Sequence, residues 1–189
     1  FRGPNFATVS ACASSTHALG IASDLIRLGK ADAIVAGGAE APIVEAGIGG
    51  FNAMHALSTR NDNPQSACRP FSKSRDGFVM GEGAGCLVLE ELEHALSRGA
   101  QIYAEVLGVG YSADAYHLTA THPDGLGARL VMENALKEAN TNYPNVPVDV
   151  IIPAGEYRID KKINLLSQYS RNMEAPVTFK TDGKVVING

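Results

Sequence analysis

The 189-residue chain sets 16 Lys and Arg against 20 Asp and Glu, a formal net charge of −4, with 45% hydrophobic and 19% charged residues. That balance excludes a disordered chain and a basic nucleic-acid footprint, and it allows a sizeable core in one or two domains. Three cysteines, with no CxxC and no His/Cys cluster at ligand spacing, exclude a disulfide framework and a zinc site and fit a reducing cytoplasm. No signal peptide or membrane span is read, and the opening Phe1-Arg2-Gly3-Pro4-Asn5, without a starting Met, reads as cut from a longer chain.

Phe6 to Val9 is short, apolar and β-branched, and predicts a buried strand. Apolar residues at 18, 21, 22, 25, 26 and 28 predict a helix directly after it. Cys12 then falls at a strand-to-helix junction, with Ser14, Ser15 and Thr16 as candidate caps. A thiol there faces free backbone N–H groups and the positive end of a helix dipole, which favour thiolate over thiol and can hold a developing oxyanion. The residues alone leave a second reading open: a small buried cysteine in a tight turn.

Ala31 to Glu40 predicts a second buried strand and, with the helix, a β-α-β unit of parallel strands. The glycines after it lack the GxGxxG spacing of a dinucleotide site. Pro42 to Asn63, rich in Gly and Ala, predicts short helices, and Ser58 to Pro64 a polar loop. Gly81, Gly83 and Gly85 predict turns or close approach before a strand at Cys86 to Glu90, in which Cys86 is a core residue. Cys68 falls in a loop. Glu91 to Gly99 predicts a short helix stopped by Gly99, Ile102 to Tyr111 a strand, and Leu126 to Ala139 a helix. Val177 to Thr181, Asp182-Gly183 and Lys184 to Ile187 predict a hairpin. Pro144, Pro147 and Pro153 mark a break in composition before it.

Several strings carry a resemblance. Ser10-Ala11-Cys12-Ala13-Ser14-Ser15-Thr16-His17-Ala18-Leu19-Gly20 resembles the nucleophile segment of the β-ketoacyl-acyl-carrier-protein synthases, most closely the elongating type II synthases. Arg69-Pro70-Phe71, Arg75-Asp76-Gly77-Phe78, Gly81-Glu82-Gly83-Ala84-Gly85 and Asp114-Ala115-Tyr116-His117 follow in the order that this family shows. The resemblance covers residues 1 to about 140. It implies an α/β, incomplete thiolase-like fold of mixed sheets with covering helices, the end of a first half and the start of a second, plus a short β-rich tail. It implies domains at 1–140, a junction at 141–149 and a tail of different origin at 150–189. Ile152 to Ile159 resembles right-handed parallel β-helix proteins of the pectate-lyase kind.

For the intact parent the resemblance implies an acyltransferase that condenses acyl and malonyl groups, with loss of carbon dioxide, through an acyl-Cys12. Phe51 would line the acyl pocket, and His117 would lie close to the active site without transferring protons. His55 stands where relatives often carry an arginine near the carrier-protein entrance. The partners implied are acyl carrier protein and a second copy in a homodimer, in the cytoplasm, with no nucleic acid or membrane. No cofactor is implied, since the phosphopantetheine arm belongs to the carrier protein. The family's two catalytic histidines find no match among His17, His55, His94, His117 and His122, so this chain is expected to be inactive alone. Three alternatives stand beside this: a polyketide ketosynthase, a non-catalytic carrier-protein or dimerisation module, and the start of a carbohydrate-active β-helix protein. A cysteine at 12 argues against the module, and the β-helix rests on the tail alone.

Overall fold

The computed structural model describes residues 2–142, 148–152, 155–158, 177–181 and 185–188. The chain falls into two units whose boundaries lie near residues 38 and 84. The first holds the described residues 2–38 and 84–142; the second holds 39–83 and the strands after residue 148.

Helix α1 (Ser14–Arg27) lies in the first unit, as do strand β1 (Ala33–Glu40) up to Gly38 and strand β2 (Gly83–Glu90) from Ala84. Helices α3 (Leu92–Ser97) and α4 (Leu126–Asn142) follow, after helix α2 (Glu45–Ala53) of the second unit. β1 and β2 form a two-stranded sheet. The Glu91 N–H donates to the Asp32 carbonyl at one end, and Gly37 lies against Gly85 and Cys86 farther along, so the strands run antiparallel. A Cβ at Gly37 would collide with the Gly85 carbonyl oxygen, so the close approach belongs to β1. Gly81, Gly83 and Gly85, from which close approach was expected, have nothing near the place a Cβ would take.

Three helices end alike. Gly29, at φ +65°, follows α1; its N–H reaches the Ile26 carbonyl and that of Lys30 reaches Leu25. Gly99, at φ +67°, stops α3 as its sequence predicts, with Gly99 bonded to Leu96 and Ala100 to Ala95. In the second unit His55, at φ +52°, plays the same part after α2, with His55 bonded to Asn52 and Ala56 to Phe51. Each pair of bonds satisfies carbonyls left open at a helix end, and each needs one left-handed residue.

Two expected strands do not form. Residues 2–10 carry no regular structure, and Phe6 and Val9 are 61% and 91% exposed. An apolar run becomes a strand only beside an edge to pair with, and no ladder reaches this one among the described residues; the expected parallel β-α-β unit is therefore absent there. Residues 101–111 are likewise outside any strand. Some of their backbone groups are met by side chains: Glu138 accepts from the Val109 N–H at 3.1 Å, and Arg27 donates to the Val106 carbonyl at 2.8 Å while also pairing with Glu138.

Burial in the described residues falls on small side chains, namely Ala22, Ala36, Ala67 and Ala95, with Leu136 and Ala139 of α4. Cys86, expected in the core, is exposed, as are Leu87 and Val88 beside it. Among the described residues β2 pairs with β1 alone, and only its last two residues, Leu89 and Glu90, are partly covered.

The later strands are β3 (Val148–Ile152), β4 (Gly155–Arg158), β5 (Val177–Thr181) and β6 (Val185–Asn188). β5 and β6 sit where strands were expected but do not form the hairpin. β5 pairs with β3, and β6 pairs with β4 in parallel, Gly155 opposite Val185. The Asp182-Gly183 turn and Pro144, Pro147 and Pro153 lie outside the described residues.

Candidate active site

Cys12 sits in a single 3-10 turn, Ala11–Ala13, that runs straight into α1, and its side chain is exposed. The expected junction is therefore a turn into a helix, with the strand before it missing. Ala11 holds a left-handed φ of +50°, which costs an L-residue about 1–2 kcal/mol. Ser14 stabilises that shape. Its hydroxyl accepts from the Ser10 N–H at 2.9 Å and donates to the Ala11 carbonyl at 2.7 Å. Thr8 donates to the Ser14 carbonyl at 2.7 Å. Ser14, one of the expected caps, is thus employed otherwise, and the N-cap of α1 is Ala13, which makes no side-chain cap bond. The thiol stands in the turn from which α1 begins, where the Ala13 N–H is given to the Ser10 carbonyl and the Ser14 N–H to the Ala11 carbonyl.

One turn into α1, His17 reaches back to the same segment. Its Nδ1 lies 2.6 Å from the Ser10 hydroxyl. The imidazole meets the Tyr111 ring edge-on at 5.3 Å between centroids. Tyr111 packs over Gly20, the next position on that helix face, where a Cβ would strike its ring. Burial, then the Asp24 and Glu138 carboxylates, push the Tyr111 phenol above its ordinary range. Asn134 of α4 donates to the Tyr111 carbonyl at 2.8 Å. A seven-residue gap from Ser10 to His17 and the long-range contact to Tyr111 have no local sequence pattern, which is why the sequence did not single them out.

His117 lies in the 112–125 loop of the same unit. Its Nδ1 accepts from the Thr119 and Ala120 N–H groups, both at 3.2 Å, so the imidazole is tied to its own loop. His122 accepts from the Asp124 N–H at 3.2 Å and tilts against Tyr116 at 5.2 Å. Asp114 anchors the whole loop. One carboxylate oxygen accepts from the His122 N–H at 3.0 Å, the other from the Gly127 N–H at 2.8 Å in the first turn of α4.

Phe51 and His55 belong to the second unit. Phe51 of α2 is half-buried and packs edge-on against Phe78 at 5.0 Å. His55 is exposed, and its backbone closes α2. In the Arg69–Phe78 stretch, Asp76 accepts from the Ser58 hydroxyl at 2.9 Å, the Thr59 N–H and Arg69 at 3.0 Å. The Ser58 bond, above all, lowers its pKa. Gly77 packs on the Leu57–Ser58 backbone, where a side chain would not fit. Among the described residues no group of His, Cys, Asp and Glu could hold a metal, and no helix is long and apolar enough to cross a membrane.

Residues 1–95 match the family described as Beta-ketoacyl synthase, N-terminal domain, and residues 103–155 match Beta-ketoacyl synthase, C-terminal domain. A 3-oxoacyl-acyl-carrier-protein synthase 2 of Rhizobium meliloti is 57% identical over 146 residues, 77% of this chain and 35% of the relative. One of Staphylococcus aureus is 54% identical over 145 residues, 77% of this chain and 36% of the relative. The chain thus spans about a third of the length of these curated relatives. Among solved structures, a type II polyketide acyl-carrier protein in complex with its ketosynthase, bound to a hexaketide, superposes with a TM-score of 0.70 at 38% identity, covering 90% of this chain and 42% of that one. A β-ketoacyl synthase of Burkholderia phymatum gives 0.67 at 35% identity, covering 93% and 42%.

Proposed function

The chain belongs to the β-ketoacyl synthase family, and on that premise we propose that it is the nucleophile-bearing part of an enzyme that elongates acyl-carrier-protein thioesters. The observation that carries the reading is an exposed Cys12 held by a strained turn at the start of α1. The Cys12 thiolate attacks the carbonyl carbon of an acyl thioester. The bond to the phosphopantetheine sulfur breaks, and that sulfur leaves as a thiolate that takes a proton from water. Malonyl-carrier protein then loses carbon dioxide. The electron pair released attacks the acyl-Cys12 carbonyl and expels the cysteine again as thiolate.

Phe51, beside Phe78, is the proposed wall of the acyl pocket. His117 is proposed near the reacting groups as a support, which fits an Nδ1 already engaged by its own loop. Acyl carrier protein is the proposed partner, a homodimer in the cytoplasm the proposed state, and no cofactor is called for. We propose further that residues 150–189 have a different origin from residues 1–140, with 141–149 as the junction, and that these 189 residues alone do not complete the condensation. A polyketide synthase is the second reading, favoured by the 38% identical polyketide ketosynthase; the 57% identity to a 3-oxoacyl-acyl-carrier-protein synthase 2 supports the first more strongly.

The chain is incubated with an acyl-carrier-protein thioester and then with malonyl-carrier protein. Acyl transfer to the chain, lost in Cys12→Ala, with no β-ketoacyl product, is the expected result. Transfer that persists in Cys12→Ala contradicts the nucleophile, and sustained product formation contradicts the proposed dependence on residues outside this sequence.

A further inference from the structure

We propose that His17 is a positioning residue for Cys12, acting through the Ser10 hydroxyl; the inference rests on the reading of Cys12 as the nucleophile. Every polar group of Ser10 is tied to the turn that follows. Its N–H donates to the Ser14 hydroxyl at 2.9 Å, its carbonyl accepts from the Ala13 N–H at 3.1 Å, and its hydroxyl meets His17 Nδ1 at 2.6 Å. These three bonds determine the backbone on the near side of Ala11, whose left-handed φ of +50° is unfavourable by itself. A strained residue persists only where its surroundings over-determine it. The Ser14 and Ala13 bonds are local to the turn. The His17 bond is different, because its ring is itself fixed from outside.

Tyr111 meets the imidazole edge-on, sits in the space that Gly20 leaves open, and is joined through its carbonyl to Asn134 of α4. The order of support runs from α4 to Tyr111, to His17, to Ser10, to the Cys12 turn. The Ser10–His17 contact survives either charge state of the ring, because a hydroxyl both donates and accepts. His17 therefore serves as a fixed post rather than a proton carrier. Without it the Ser10 hydroxyl loses its partner, Ala11 is free to relax, and the thiol turns away from its place at the head of α1.

The test uses the 189-residue chain, iodoacetamide and peptide mapping by mass spectrometry. Cys68 and Cys86 are also exposed and serve as references in the same molecule. Cys12 is expected to react fastest. His17→Ala and Ser10→Ala should each slow Cys12 by roughly threefold to tenfold, the scale of one lost hydrogen bond, with Cys68 and Cys86 unchanged. The double variant should lose no more than either single one, since the two side chains act as one unit. His17→Asn, which keeps a polar atom near the Nδ1 position, and Ser10→Thr, which keeps the hydroxyl, should restore the rate. An unchanged Cys12 rate in both alanine variants overturns the inference and leaves the nucleophile reading standing. A change in all three cysteines together, with no rescue by His17→Asn, makes the role merely structural and also overturns it. A wild-type Cys12 no faster than Cys68 and Cys86 overturns the nucleophile reading and the inference with it.

Discussion

The Arg98 guanidinium spans both oxygens of the Glu90 carboxylate, Nε to Oε1 and Nη2 to Oε2 at 2.6 Å each. The fork joins the end of β2 to the residue after α3, and His94 adds a contact at 2.5 Å. The Arg98 bonds are the main reason that the Glu90 carboxyl is held well below the ordinary carboxylate range, at about 2. A depressed carboxylate adds stability that is present above its ordinary range and lost as pH falls through its folded value. Removing Arg98 should therefore raise the Glu90 midpoint toward the ordinary carboxylate range. A carboxyl NMR titration of wild type and Arg98→Ala checks this. Equal midpoints in the two proteins contradict it.

Gly37 and Gly85 face each other's strands but differ in what a side chain would meet. At Gly37 a Cβ strikes the Gly85 carbonyl and the Cys86 backbone, which cannot yield without parting the strands; at Gly85 it meets open space. Gly37→Ala should lower stability by about 1–3 kcal/mol. Gly85→Ala should stay within about 0.5 kcal/mol of wild type. Urea unfolding of the pair decides, and equal midpoints contradict the register of β1 on β2.

His55 occupies the left-handed position after α2 that Gly29 and Gly99 fill after α1 and α3. A β-carbon is unfavourable there, so His55→Gly should raise stability by about 0.5–1 kcal/mol, and Gly29→Ala should lower it by a similar amount. Thermal unfolding reads both. A loss of stability in His55→Gly would show that the imidazole makes a contact worth more than the strain.

The helices were legible because their signals are local. The α1 stripe, the Gly99 stop and the α4 periodicity each lie within a few turns of sequence, and each produced its helix. β1 and β2 were legible too, as apolar runs that found each other. Phe6–Val9 and Ile102–Tyr111 carry the same kind of run and form no strand, because a strand needs a partner edge that its own residues do not specify. The β5 and β6 runs formed strands with other partners than a hairpin would give, for the same reason. At the candidate site, Cys12 was marked by its string. Ser10, His17 and Tyr111 were not, because their meeting depends on how α1 and the segment before α4 pack. Ser14 was expected to cap α1; its hydroxyl found two nearer partners in Ser10 and Ala11.

Asp114 accepts from the His122 and Gly127 N–H groups and so holds the loop that carries His117 to the first turn of α4. Asp114→Ala leaves both donors without that acceptor, at about 1–2 kcal/mol for a helix-terminal carboxylate of this kind. Amide hydrogen exchange should quicken at Gly127 and His122 while residues 135–139 of α4 keep their protection. Unchanged exchange at both amides contradicts the anchoring role.

The most direct test of the central claim is where an acyl-enzyme trap lands. The chain is treated with cerulenin, an epoxide directed at the nucleophilic thiol of condensing enzymes, digested, and mapped by mass spectrometry. The account predicts modification on the peptide carrying Cys12, with Cys68 and Cys86, which are also exposed but lie away from any helix start, left free. Modification of Cys68 or Cys86 with Cys12 untouched would contradict it.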